Sequence, residues 1–198
     1  FSFRGKQVLA TLIDIPFSIS PVIVGLAFLM TFGRLGWTYP AIRAINQFFG
    51  TNIRITFALP GVVLATIFVT FPFVSREIIP ILNAQGKDEE EAAALMGAGG
   101  FTIFRKITLP QMKWGLIYGI ILCTARALGE FGAVNALSKT RGQTFPLPLE
   151  IDALYMSGTD TSITSAFAVS SILVIIAVIV LILRNIFEYR SKNSKGIQ

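Results

Sequence analysis

Hydrophobic positions gather into four long runs, at about residues 8–32, 53–82, 109–137 and 163–187. Each can supply the roughly 20 helical residues that cross a bilayer. They do not alternate apolar and polar as barrel strands do, and backbone groups in lipid must pair internally, so helices are predicted. Pro16 and Pro21 interrupt the first run, and Pro60, Pro72 and Pro80 lie in or beside the second. Each proline removes a backbone donor and predicts a kink. Gly115, Gly119, Gly129 and Gly132 in the third run predict close helix packing. From Ser162 to Phe187 there is neither glycine nor proline, which predicts one regular, peripheral helix.

Composition strengthens this picture. Of 198 residues 53% are hydrophobic and 14% charged, and mean hydropathy is +0.68. No polar stretch is long enough for a separate soluble domain. With no histidine and the single Cys123, hydrolytic, redox and metal chemistry have few candidate groups. The net charge of +6 follows the flanks of the runs and not a basic nucleic-acid patch. Arg4, Lys6, Arg76, Lys87, Arg105, Lys106, Lys113, Arg184, Arg190, Lys192 and Lys195 fall on one side. Arg34, Arg43, Arg54, Lys139 and Arg141 fall on the other. The positive-inside rule places the first set in the cytoplasm, with the 83–108 loop and the C-terminus. On the outer side Trp37, Tyr39, Ile42, Ile45, Phe48 and Phe49 predict an interfacial segment, and LPLEIDALYM (147–156) an amphipathic helix. Both suit surface anchoring or the docking of an external partner.

Between the second and third runs lies DEEEAAALMGAGGFTIFRKITLP, residues 88–110. Asp88 with Glu91 reads as an N-cap and capping box, and Glu89 to Glu91 favour the positive end of the helix dipole. Ala92, Ala93, Ala94, Leu95 and Met96 are strong helix formers, and Gly97, Gly99 and Gly100 end or bend the helix. Phe101 to Lys106 predict a second short turn, and Pro110 a reset of the backbone. So short a helix is marginal alone, and Leu95, Met96, Phe101 and Phe104 are wasted in water. The loop therefore rests against its own bundle or against another protein.

Glu91-Ala92-Ala93, three residues, Gly97, nine residues, Ile107, one residue, Leu109 and Pro110 resemble the EAA motif of permease subunits in bacterial ABC importers. FVTFPFVSREIIP (68–80), ARALGEFGAV (125–134) and RGQTFPLPLEI (141–151) are similar to the W-type permeases of the sulfate/thiosulfate family. Molybdate permeases share the RALGEFGA run, so molybdate or tungstate stays open as substrate. The resemblance implies an all-α type I importer transmembrane domain with six spans per subunit. Four are visible in one domain over 1–198, and two N-terminal spans are expected before Phe1. It further implies a bacterial inner-membrane subunit whose coupling helix docks in a cleft of an ATPase. That surface would comprise Glu91, Ala92, Ala93, Leu95, Met96, Gly97, Phe101, Ile107, Leu109 and Pro110. The expected partners are an ATP-binding subunit dimer carrying the ATP and Mg, a T-type permease, a periplasmic sulfate-binding protein and membrane lipid. No G-x-x-x-x-G-K-[ST] occurs, so this chain is expected to bind no cofactor and catalyse nothing itself.

Arg126 and Glu130, four residues apart in the third run, can pair on one helix face. Two roles stay open: a packing ion pair, or a gate beside the anion path. An intramembrane enzyme would need converging catalytic groups, and only scattered serines, Asp14 and Glu130 are on offer.

Overall fold

A computed structural model describes residues 4–195, without the side chains of Lys6 and residues 187–195. The basic residues Arg190, Lys192 and Lys195 used above for orientation thus have side chains outside the described residues, as has Lys6. Every regular element among the described residues is helical. These are α1 (Lys6–Ser18), α2 (Pro21–Phe32), α3 (Tyr39–Phe49), α4 (Leu59–Gln85), α5 (Asp88–Leu95), α6 (Gly100–Ile103), a π-helical turn (Phe104–Thr108), α7 (Leu109–Leu128), α8 (Gly132–Leu137), α9 (Leu147–Met156) and α10 (Asp160–Lys195).

Among the described residues two helices are each long and apolar enough to cross a membrane, Leu59–Gln85 and Asp160–Ile186. The first expected span is not one straight helix: Gln7–Ser18 and Pro21–Phe32 meet at 106°. Pro21 is the cause. It forces Ser20 into an extended conformation (ψ 131°) and then starts α2 at its first position, where its missing N–H costs nothing. The second run becomes helical only at Leu59, since residues 51–58 form a strap in which Phe57 takes φ 56°. The third run is α7, a break at 129–131, and α8. The fourth is a single helix, α10.

The chain divides into two compact units. The first comprises the residues up to Pro72 together with Ala125–Val178. Its core is Val24, Val62, Ala65, Val69, Ala133, Val134, Leu137 and Leu149. The stripe Gly61, Val62, Ala65, Val69 and Pro72 has helical spacing and is the buried face of α4. Where α2 meets α8 the backbones nearly touch. A Cβ on Gly25 would lie 2.4 Å from the Ala133 carbonyl oxygen, and one on Gly132 would lie 3.0 Å from Pro21 Cβ. Thr66 and Thr70 donate to the carbonyls of Val62 and Thr66 at 2.8 and 2.7 Å, so their hydroxyls need no other partner inside the bundle.

The second unit comprises Phe73–Thr124 and the chain from Ile179 on. Here α7 runs against the second half of α4 through Gly115 and Gly119. A Cβ on Gly119 would sit 3.1 Å from Val74 Cα. This small-xxx-small spacing lets two apolar helices approach without a hydrophobic driving force. Arg184 of α10 donates to the Tyr118 hydroxyl and lies 5.0 Å from its ring centroid.

Candidate functional site

The acidic helix and the glycines after it build one continuous feature. α5 starts at Asp88, with Lys87 as its N-cap and no side-chain cap bond. The expected capping box is therefore absent. Asp88 is already the first helical residue, and its charge, like those of Glu89, Glu90 and Glu91, lies in the first turn, where the helix dipole favours it.

At the other end a Schellman cap closes the helix. Gly97 takes φ +83°, its N–H donates to Ala94 O at 3.0 Å, and the Ala98 N–H donates to Ala93 O at 3.0 Å. The Met96 N–H donates to Ala92 O at 3.1 Å. The chain re-enters a helix at Gly100 and stays helical through Leu128. Pro110 does not reset the backbone there. A proline at this position clashes with the carbonyl four residues back, and the π-turn widens the helix ahead of it, with the Leu109 N–H donating to Phe104 O.

Two short bonds fasten α5 to this helix. Thr108 Oγ1 donates to Glu90 Oε1 at 2.6 Å, and Gln111 Nε2 donates to Glu89 Oε2 at 2.6 Å. Gln85 Nε2 donates to Gln111 O at 3.0 Å, while its buried Oε1 has no hydrogen-bond partner. Gln85, Thr108 and Gln111 were not among the residues singled out from the sequence. Their signal was only polarity at the edges of apolar runs.

With the acids fastened down, the apolar side chains stand free. Leu95 is 90% exposed, Met96 88% and Phe101 77%. Glu91 and Ala92 are exposed, Ala93 half-buried, and Ile107, Leu109 and Pro110 lie in the π-turn and the start of α7. The loop does not rest on its own bundle through these side chains. A short, doubly anchored knob with an apolar tip is suited to filling an apolar socket.

The structure also brings Arg126 and Glu130 together. Glu130, 1% exposed, sits in the break after α7. Its Oε2 meets Arg126 Nη1 at 2.8 Å as an ion pair without hydrogen-bond alignment. Its Oε1 accepts the Ala133 N–H at 3.0 Å. One carboxylate thus ties the last turn of α7 to the start of α8 across the break. On the far side of α8, Ser138 Oγ donates to Thr144 Oγ1 at 2.7 Å. Arg141 clasps Glu150 of α9 through Nε and Nη2, at 2.8 and 2.5 Å to Oε1. Hydrogen bonding to Glu150, then its charge, raises the proton affinity of the Arg141 guanidinium.

Residues 1–193 match the family model described as binding-protein-dependent transport system inner membrane component. The chain is 43% identical over 196 residues to the sulfate transport system permease protein CysW of Escherichia coli (strain K12), across 98% of this chain and 64% of the relative. It is 44% identical over 197 residues to the protein of the same name from Synechococcus elongatus, across 98% and 65%. It is 34% identical over 188 residues to the probable sulfate transport system permease protein cysT of Chlorella vulgaris, across 95% and 68%. The chain therefore spans a little under two thirds of the first two relatives' length.

Proposed function

Because the chain belongs to the family of binding-protein-dependent transport system inner membrane components, we propose that it is the membrane subunit of an ATP-driven sulfate/thiosulfate importer. The exposed apolar tip of the 88–110 loop carries this reading. An importer subunit without its own nucleotide site must receive work from outside the membrane. A knob built from a capped helix and anchored to Thr108 and Gln111 at the start of α7 suits that task.

In this reading Leu95, Met96 and Phe101 seat in the ATPase subunit. Gly97 turns the chain under them, and the Glu89–Gln111 and Glu90–Thr108 bonds pass displacement to α7. ATP and Mg bind the ATPase dimer, a T-type permease completes the pathway, and a binding protein delivers the anion to the outer face. The loop and the C-terminus lie on the cytoplasmic side of the bacterial inner membrane, in keeping with the positive-inside rule. Arg126 and Glu130 act as a packing pair, since both Glu130 oxygens are engaged across the break between α7 and α8.

Sulfate is favoured over molybdate by the names of the relatives. Uptake of radiolabelled sulfate is measured in cells whose only sulfate importer is this complex. Deletion of the gene abolishes it. Persisting sulfate uptake together with lost molybdate uptake contradicts the substrate assignment.

A further inference from the structure

Between Asp14 and Glu77 the chain contains no acidic residue, yet it contains Arg34, Arg43 and Arg54. All three line one cleft of about 1080 Å³ in the first unit. Each comes from a different wall: Arg34 from the turn after α2, Arg43 from α3, and Arg54 from the 51–58 strap.

The walls are held firmly. The Gly36 N–H donates to Gly33 O at 2.8 Å, Thr38 Oγ1 donates to Thr31 O at 2.5 Å, and a Cβ on Gly36 would stand 2.0 Å from Thr31 O. Asn46 staples the strap to α3, with Nδ2 donating to Ile53 O at 3.0 Å and Oδ1 accepting the Ile53 N–H at 2.9 Å. The arginines themselves have no carboxylate partner among the described residues. A concave site lined by three arginines without a carboxylate partner raises the local concentration of anions, and a guanidinium matches the edge of a tetrahedral oxyanion with two parallel N–H donors.

We propose that this cleft is a vestibule that holds a free divalent oxyanion, of the sulfate class, at the outer mouth of the permease. The proposal rests on the importer reading and its orientation. Trp37, Phe48 and Phe49 nearby are exposed, so a lipid phosphate offers the same chemistry from a second source.

The test uses the full complex in nanodiscs and the arginine reagent phenylglyoxal, with labelling of each arginine read by peptide mass spectrometry. Inorganic sulfate, against chloride at matched ionic strength, lowers labelling of Arg34, Arg43 and Arg54 several-fold in neutral lipid. In proteoliposomes the R34Q/R43Q/R54Q variant loses about tenfold in uptake rate at low sulfate, the lower end of what charge focusing supplies. Equal labelling in sulfate and chloride overturns the vestibule. Protection by phosphatidylglycerol alone, with none from sulfate, overturns it in favour of a headgroup site. Sulfate uptake by the unmodified complex is scored separately. Uptake without protection sinks the vestibule alone, whereas protection without any sulfate uptake sinks the importer reading and leaves the anion site standing.

Discussion

The α2–α8 crossing and the 88–110 loop both turn on glycine, for opposite reasons. At the crossing Gly25 is needed for space: a Cβ would strike the Ala133 carbonyl. In the loop Gly97 is needed for conformation: nothing lies within 4 Å of its Cβ position, but its φ is +83°. The crossing is buried and braced by Glu130, which is 1% exposed, whereas Leu95 at the loop tip is 90% exposed. Close backbone approach builds a bundle. Positive φ on an exposed capped helix builds a projection whose apolar area gains nothing until a partner covers it. Covering even ~100 Å² of it contributes roughly 2.5 kcal/mol at 25 cal/mol per Å². Under the proposed function, damage at the crossing is expected to show as lost stability, and damage in the loop as lost transport.

The largest stability effect is expected from Gly25→Val. The obstacle is backbone, so the helices must part, at a cost of more than about 3 kcal/mol, beyond the usual range for overpacking. Thermal unfolding of the purified complex reads this. A midpoint like the unmodified protein's would show that the crossing is not tight.

Next come Arg126 and Glu130. Arg126→Ala strands a fully buried carboxylate and costs about 3 kcal/mol, the low end for breaking a buried pair. Glu130→Ala leaves an arginine that is 34% exposed, and so costs less, about 2 kcal/mol. The double substitution is milder than the sum, because no charge is then orphaned. Strict additivity in that cycle would dissolve the pair.

The apolar runs made the helical membrane class legible, because lipid leaves the backbone no other solution. The loop's end was equally legible, because Gly97 after an alanine-rich turn is the sequence form of a Schellman cap. Breaks inside the runs were harder to place. Pro21 announced a kink, but its 106° angle depends on Ser20 becoming extended. The gap between α7 and α8 depends on which way Glu130 turns, and i,i+4 spacing describes only the unbroken helix. The N-cap was misplaced by one residue, since Asp88 competes with Lys87 for a boundary that no side-chain bond fixes. The Thr108–Glu90 and Gln111–Glu89 bonds join residues 18 and 22 apart, and no local pattern reports them.

The smallest stability effect with the largest functional one is expected from Gly97→Asp. Holding a non-glycine residue in the left-handed region costs about 1 kcal/mol, and the surrounding space is open, so the protein still inserts in the membrane. The new carboxylate, however, would be trapped without a partner in an apolar contact. The decisive measurement is retention of the ATPase subunits on tagged permease, with sulfate uptake measured in the same cells. Normal membrane levels of the Gly97→Asp protein are expected, with ATPase retention and uptake both lost. Normal retention with normal uptake would remove the loop from the mechanism.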